Sequence, residues 1–489
     1  MVHAKIKNET PLPVQMVDVG AVAAGIVRRI PESLAWEYGA LAVAADPQTL
    51  TVAFAQPPPQ DAIARLERAT ALHVTAVLAP ADQIQRELSR VFGRDAVAQT
   101  RLSDAPAVRA VDHLHERAFF ERCSDIHIEP VPGGARVRFR VDGFLRDVDH
   151  LDDQLASAVA SRIKILAAMD IAERRQPQDG RYTISLAEHT LDMRVSSVPA
   201  RDGEKIVIRL LDHHARLPSL EELGMPEAIR EAFSDVVSQS CGFVVVCGPT
   251  GSGKTTSLYA ALAKLNSPER NICTVEDPVE QAISGITQVQ VNTKAGVTFA
   301  SVLRSLLRQD PDVIMVGEMR DPETANTAIS AALSGQMVFT TLHSNDAPRT
   351  LDRLGELGVA RSSLAAGVSG ILAQRLVRRL CPHCKHGVRL DEALAEKFGL
   401  ERDRLYFEAR GCERCNGLGY RDRIGIFEFI AVDDRLRDAI SSGLSSVALT
   451  QFARERGYRR MAEDCLDKLR SGTTSIEEFR RVAWWGGRQ

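Results

Sequence analysis

Gly248-Pro249-Thr250-Gly251-Ser252-Gly253-Lys254-Thr255 is a complete G-x-x-x-x-G-K-[ST] run, and its chemistry is phosphate binding. Glycines at 248, 251 and 253 allow successive backbone N–H groups to turn inward and form a nest for phosphate oxygens. Lys254 is placed to reach the β- and γ-phosphates, and the Thr255 hydroxyl to ligate Mg²⁺, with Thr256 completing the turn. The flanks suit the motif. Phe243-Val244-Val245-Val246 reads as a buried parallel strand, and the Leu- and Ala-rich stretch from Thr256 to Leu265 reads as a helix. A helix N-terminus behind the loop adds partial positive charge. A chance glycine-rich turn would not carry Lys and Thr in this register, so the chain is expected to bind a nucleoside triphosphate.

Three further segments offer groups for the γ-phosphate. Asp312-Val313-Ile314-Met315-Val316-Gly317-Glu318 is an apolar strand ending in a carboxylate, and Glu318 there could take or orient the proton of an attacking water. Glu276, Asp277 and Glu280 cluster after a strand, as Mg²⁺–water coordination requires. In Thr340-Thr341-Leu342-His343-Ser344-Asn345-Asp346, His343 could sense the γ-phosphate.

Cys381-Pro382-His383-Cys384 and Cys412-Glu413-Arg414-Cys415 are paired CxxC knuckles that can supply four thiolates to one Zn²⁺. Redox cycling is the rival reading. A site with four cysteines and no open position would be structural, with His383 and His386 as bystanders. The other cysteines, Cys123, Cys241, Cys247, Cys273 and Cys465, sit in apolar or mixed segments and read as reduced filler.

The elements that must position these groups fall into several domains, as 489 residues require. Residues 1 to about 20 lack periodicity and read as a loose arm. A small α/β unit follows: strands around Leu50–Phe54 and Leu72–Leu78, a helix over Asp61–Ala69, and an amphipathic helix with Ile84, Leu88 and Val91 on one face. Residues 93–105 read as a linker. From Pro106 a helix leads into strands at Ser124–Pro130 and Arg136–Gly143, where Arg136, Arg138 and Arg140 alternate with apolar residues and read as a solvated face. Leu191–Val195 and Lys205–Leu210 resemble another hairpin. Strands at 243–247, 272–275, 313–316 and 337–341, separated by helices, predict a largely parallel sheet.

Composition excludes other classes. With 61 Lys and Arg against 64 Asp and Glu there is no basic field for nucleic acid, and 5% aromatics offer no base-stacking platform. No apolar run is long enough to span a bilayer, and prolines near the N-terminus break any signal-peptide pattern, so a cytoplasmic protein is expected.

The four boxes taken in order, with Arg308-Gln309-Asp310-Pro311-Asp312 before the second, resemble the Walker A, aspartate, Walker B and histidine boxes of the secretion ATPases of type II secretion and type IV pilus assembly (the GspE/PulE type). Ser124-Asp125-Ile126-His127-Ile128-Glu129-Pro130, Gln178-Asp179-Gly180-Arg181 and Gly203-Glu204-Lys205 match the preceding domain of that family. The resemblance implies an α/β multidomain chain: an N-terminal interaction domain (1–100), a PAS-like α+β domain (106–211), a RecA-like ATPase domain (216–380), a zinc subdomain (381–427) and a helical C-terminal part (428–489). It implies ATP hydrolysis by a homo-hexamer on the cytoplasmic face of the inner membrane, docked through residues 1–105 to membrane platform proteins. By motif position Arg194 and Arg209 would meet the γ-phosphate, and Arg304, Arg308 and Arg320 are the other arginines carried over. Assembly ATPases of the family carry the four-cysteine subdomain and retraction motors lack it. The small α/β unit before the linker favours type II secretion over pilus assembly, with a nucleotide-binding scaffold and a DNA-uptake motor as more distant alternatives. One departure stands out: the family's second histidine follows the glycine of the histidine box, and here Gly335 is followed by Gln336, which cannot become a cation.

Overall fold

The computed structural model describes residues 17, 22–31, 34–35, 38–58, 60–92, 105–186, 189–212 and 216–483. The expected loose arm lies almost wholly outside these residues, as does most of the expected linker. The chain divides into two compact units, residues 1–115 and 116–489, and the helix Pro106–Phe120 spans that division.

In the first unit, β1 (Leu41–Ala45), β2 (Thr49–Phe54) and β3 (His73–Leu78) form one sheet, with β1–β2 antiparallel and β2–β3 parallel. Ile84, Leu88 and Val91 are buried along one face of the helix Ala81–Phe92, as their spacing predicts. Strand β1 is an addition to the sequence reading: its Ala-rich run Leu-Ala-Val-Ala-Ala carries little β signal, and pairing with β2 overrides propensity.

The second unit holds two large sheets. The first comprises β4 (Cys123–Val131), β5 (Gly134–Val141), β6 (Phe144–Asp152), β7 (Gln178–Leu186), β8 (His189–Ala200) and β9 (Gly203–Asp212), antiparallel in the order β6-β5-β4-β9-β8-β7. On β5, Val137 and Phe139 are fully buried while Arg136, Arg138 and Arg140, which alternate with them, face outward. That outward row is held by charge: Glu129 accepts from Arg136 at 3.0 Å, Arg138 at 2.8 Å and Lys205 at 3.0 Å.

The other sheet comprises β10 (Gly242–Cys247), β11 (Ile272–Glu276), β12 (Thr287–Gln290), β13 (Val313–Val316), β14 (Met337–Leu342), β15 (Val368–Leu380) and, after the separate antiparallel pair of β16 (His386–Val388) and β17 (Tyr406–Glu408), β18 (Tyr420–Ala431). The order is β12-β11-β13-β14-β10-β15-β18, parallel except for the antiparallel β18 edge. Every residue of β10, β13 and β14 is buried, as continuous apolar runs covered on both faces require.

The strand-to-helix loops at the carboxyl edge are short and capped. Asp321 accepts from Thr324 N at 2.8 Å to start the helix Pro322–Leu333, and Asp346 accepts from Arg349 N at 2.9 Å to start Ala347–Glu356. Each cap contributes about 1 kcal/mol, and each has proline at the helix start. The caps hold Glu318 and His343 in place just beyond β13 and β14.

Residues 420–427, read from the sequence as part of the four-cysteine insert, are the first two-thirds of β18 in the core sheet. The insert thus projects between two strands that pair with each other. Isolated apolar residues in Arg421–Ile426 hid this strand, because its first turn of alternation is charged.

Candidate nucleotide site and four-cysteine centre

The loop after β10 passes directly into the helix Lys254–Leu265, whose N-cap is Gly253 at φ 86°. Gly248 sits at φ 150°, and a Cβ there would lie 2.4 Å from the Gln374 carbonyl oxygen. That close approach is what the glycine is for. The Gln374 side-chain amide donates to Ser252 O at 2.7 Å, so one residue of β15 braces the loop at both ends. Gln374 was not legible as a site residue, since it is a lone amide in an apolar strand.

Lys254 Nζ donates to the loop's own carbonyls, Gly248 O at 2.9 Å and Pro249 O at 3.0 Å. Burial lowers its pKa, with Cys247 and Glu318 acting against that shift. Thr255 and Thr256 occupy the first turn of the helix behind the loop.

Glu318 joins this group from β13. Its carboxylate is paired through Oε1 with Arg320. His343, past the end of β14, is held below the usual histidine range first by burial and then by the Lys254 charge, against which Glu318 and a backbone hydrogen bond with Gly248 act. Thr341 Oγ1 donates to Gly317 O at 2.6 Å and Gly317 N to Val275 O at 2.8 Å, which tie the three strand ends together. Lys254, Glu318, Arg320 and His343 therefore converge at one carboxyl edge, as parallel strands with adjacent order require.

Glu276 is not part of an open acidic cluster. It is the last residue of β11, only 3% exposed, and accepts hydrogen bonds from Tyr259 Oη, Thr274 Oγ1 and, at 3.1 Å, Gln288 Nε2. Asp277, the next residue, is exposed. Strand pairing with β12 is what brings Gln288 over the carboxylate, and no local pattern announces it.

The remaining arginines are spread out. Arg304 pairs with Glu323, and Arg308 folds back onto Arg304 O at 2.8 Å. Arg194 lies 3.8 Å from Asp192, and Arg209 Nε donates to Asp125 Oδ1 at 3.0 Å. The part of the antiparallel domain that faces the phosphate loop is the turn Asp142-Gly143-Phe144. Together with Pro249–Ser252, Arg375 and Arg423 it walls a cleft of about 200 Å³, and a neighbouring cleft lies behind Gly253 and Thr256. The Phe144 ring is stacked by the Arg378 guanidinium at 3.7 Å and the Arg481 guanidinium at 4.8 Å. Asp422 N donates to Asp142 Oδ2 at 3.0 Å, so this turn is docked on the β15–β18 edge. Gln336 precedes β14, at the far end of the strand from His343, about 20 Å away for six residues. It has no place at the phosphate edge.

The four cysteines meet. Their sulfurs lie within 4.8 Å of one another, with Cys381–Cys412 at 3.9 Å, Cys384–Cys415 at 3.8 Å and Cys412–Cys415 at 3.7 Å. A tetrahedron with Zn–S bonds of about 2.3 Å has edges of about 3.8 Å, so the donor set fits zinc. Cys415 Sγ accepts from Cys412 N and Gly419 N, both at 3.2 Å, and although burial opposes it these bonds bring its pKa down to about 7.

Among known proteins, residues 100–481 match the family model for type II/IV secretion system proteins, and residues 14–98 match the MshEN domain. The type II secretion system protein E of Dickeya dadantii is 46% identical over 381 residues, 78% of this chain and 76% of that protein. The type II secretion system ATPase E of Vibrio cholerae is 44% identical over the same shares. The type IV pilus assembly ATPase PilB of Thermus thermophilus is 42% identical over 401 residues, 81% of this chain and 45% of that protein. Among solved structures, the Legionella pneumophila ATPase DotB superposes with a TM-score of 0.56 at 22% identity, covering 76% of this chain and 94% of that one, a likeness of fold. A family match over most of the chain, with relatives near half identity along the same stretch, leaves one assignment: the chain belongs to the family of type II/IV secretion system proteins.

Proposed function

We propose that this chain is the ATP-hydrolysing motor of a type II secretion system. The observation that carries the chemistry is the convergence of Lys254, Glu318 and His343 on the phosphate loop. The reading of the machine rests on the type II secretion relatives.

In this reading ATP lies along the loop, and its β- and γ-phosphates draw Lys254 Nζ away from the Gly248 and Pro249 carbonyls. An anionic ligand suits an ammonium whose burial otherwise disfavours charge. Thr255 would hold a Mg²⁺ ion, which would supply neutralising charge to the phosphates. Arg320 pairs with Glu318 and orients its carboxylate, which accepts the proton of the attacking water. His343, kept neutral by burial and Lys254, donates a hydrogen bond to the γ-phosphate without adding a cation. Arg194 and Arg209 bring charge to the transferring phosphoryl group when the antiparallel domain moves onto the nucleotide, with Arg304 and Arg308 as further catalytic arginines in a chain that works as a homo-hexamer. Glu276 acts from behind, fixing the end of β11. Zn²⁺ held by Cys381, Cys384, Cys412 and Cys415 keeps the insert folded. Among the described residues no helix is long and apolar enough to cross a membrane. On the secretion-motor reading, attachment to the cytoplasmic face of the inner membrane runs through partner proteins that bind residues 1–105.

The test is a pair of variants. Lys254→Ala weakens ATP binding, whereas Glu318→Ala keeps ATP bound and lowers turnover at least 100-fold. Glu318→Ala hydrolysing within a few-fold of wild type removes Glu318 as the base. Pilus assembly is the second reading, favoured by the similarity to PilB. It prevails if the chain restores pilus formation, and not protein export, in a strain lacking its own assembly motor.

A further inference from the structure

Away from the phosphate edge, the densest line of charge crosses the antiparallel sheet. Arg140 on β5 stands opposite Asp125 on β4, and Asp125 opposite Arg209 on β9. Arg209 in turn stands opposite Arg194 on β8, and Arg194 opposite Arg181 on β7. Directly opposed residues share a face, and strands lie about 4.8 Å apart, so the row spans about 19 Å. Arg209 and Arg140 both turn to the Asp125 carboxylate, while Arg194 lies against Asp192 instead. Like charges placed directly opposite one another are destabilising, so Arg194–Arg209 and Arg181–Arg194 do nothing for the fold. Departures from local consistency of this kind concentrate at functional sites.

The atoms used at Asp125 matter most. The carboxylate is 8% exposed, and its Oδ1 accepts from Arg209 Nε at 3.0 Å. Its Oδ2 accepts from Ser124 Oγ at 2.8 Å and lies 3.7 Å from Arg140 Nε. Arg209 is therefore gripped at Nε, near the root of its guanidinium, while its side chain remains 63% exposed. Both terminal nitrogens stay available as the two-pronged fork that phosphate oxygens bind best.

We propose that Asp125 is the positioning residue for Arg209, aiming its guanidinium at a phosphate while also screening it from Arg140. The proposal rests on the reading of Arg209 as a group that meets the γ-phosphate, and it adds the residue through which that arginine is held. A swinging four-bond side chain loses rotamer freedom when it binds; one already held at Nε loses less. The benefit falls on the transferring phosphoryl group, so it belongs to kcat.

The experiment uses full-length protein and five variants: Asp125→Ala, Asp125→Asn, Arg209→Ala and the doubles Asp125→Ala/Arg209→Ala and Asp125→Asn/Arg209→Ala. Steady-state ATP turnover, ADP affinity and thermal unfolding are measured for each. Asp125→Ala is expected to lower kcat about tenfold with KM for ATP and ADP affinity within twofold. The double variant is expected to be no slower than Arg209→Ala. Asp125→Asn keeps an acceptor oxygen for the Nε–H and is expected to lose only about threefold, a loss that vanishes when Arg209 is already Ala. If Asp125→Ala does not fold, the Asn variant in the two backgrounds decides alone. Equal losses with and without Arg209 overturn the proposal while leaving Arg209 in its role. No loss of turnover in Arg209→Ala overturns the reading of Arg209, and the proposal with it.

Discussion

Gly248→Ala tests the geometry of the phosphate loop at its tightest point. The new Cβ would stand 2.4 Å from the Gln374 carbonyl oxygen and 2.6 Å from Ser252 Oγ. Real Cβ contacts essentially never fall below 3.0 Å, so either strand β15 or the loop must shift by at least about 0.6 Å. The carbonyl belongs to a strand paired on both sides, to β10 and to β18, and cannot yield alone. The loop therefore moves, carrying with it the N–H groups that cradle phosphate. A misplacement of about 1 Å costs on the order of 100-fold in rate, so a shift of this size should lower kcat/KM by roughly 10- to 100-fold, or about 1.4–2.7 kcal/mol of transition-state stabilisation. Backbone strain at φ 150° adds about 1–3 kcal/mol to the cost of folding, read separately by thermal unfolding. The assay is ATP turnover per folded molecule, with Gly335→Ala as comparison. Gly335 also has positive φ, 113°, but nothing lies within 4 Å of its would-be Cβ, and it stands at the opposite end of β14. That variant should lose stability and keep its turnover. A Gly248→Ala protein with turnover within threefold of wild type, at unchanged Gln374 and Ser252, would refute the close-approach argument.

Two further outcomes are expected. Purified protein should hold about one Zn²⁺ per chain by metal analysis, and Cys412→Ser should lose it and make residues 381–419 sensitive to protease; a metal-free protein with a reversible disulfide would favour redox chemistry instead. Burial works to raise the Glu129 carboxyl, but hydrogen bonds from Arg138, Lys205 and Arg136 outweigh it and hold it at about 2, against 4.5 for an unperturbed Glu. A folded pKa below the unfolded one means stability that is present in full above pH 4.5 and is lost as pH falls towards 2. Chemical unfolding across that window should therefore show a shallower decline for Glu129→Gln than for wild type; parallel curves would show that Glu129 contributes nothing to acid sensitivity.

What could be read from the sequence was what is local. The phosphate loop is contiguous, and its strand, glycines, Lys254 and helix start all lie within about two dozen residues, so spacing alone carries its geometry. The two CxxC pairs are legible for the same reason, because each knuckle is built by its own turn and only the pairing of the two is tertiary. The helix caps at Asp321 and Asp346 are equally local, and they place Glu318 and His343 close behind their strands. The tertiary structure decided everything that depends on which strands lie side by side. Glu276 looked like one acid among three beside a strand end, yet β12 brings Gln288 against it and the helix after the loop brings Tyr259. Gln336 and His343 belong to one sequence box, but six extended residues carry them to opposite ends of β14. Phe144 was one apolar residue after a turn, until docking on β15 and β18 made it the partner of Arg378 and a wall of the phosphate cleft. Asp125 and Arg209 are 84 positions apart, and only the β4–β9 register sets a carboxylate against the root of that guanidinium. Side-chain alternation says which face a strand residue takes. It cannot say what stands opposite on the next strand, because that register is fixed by the packing of the whole sheet.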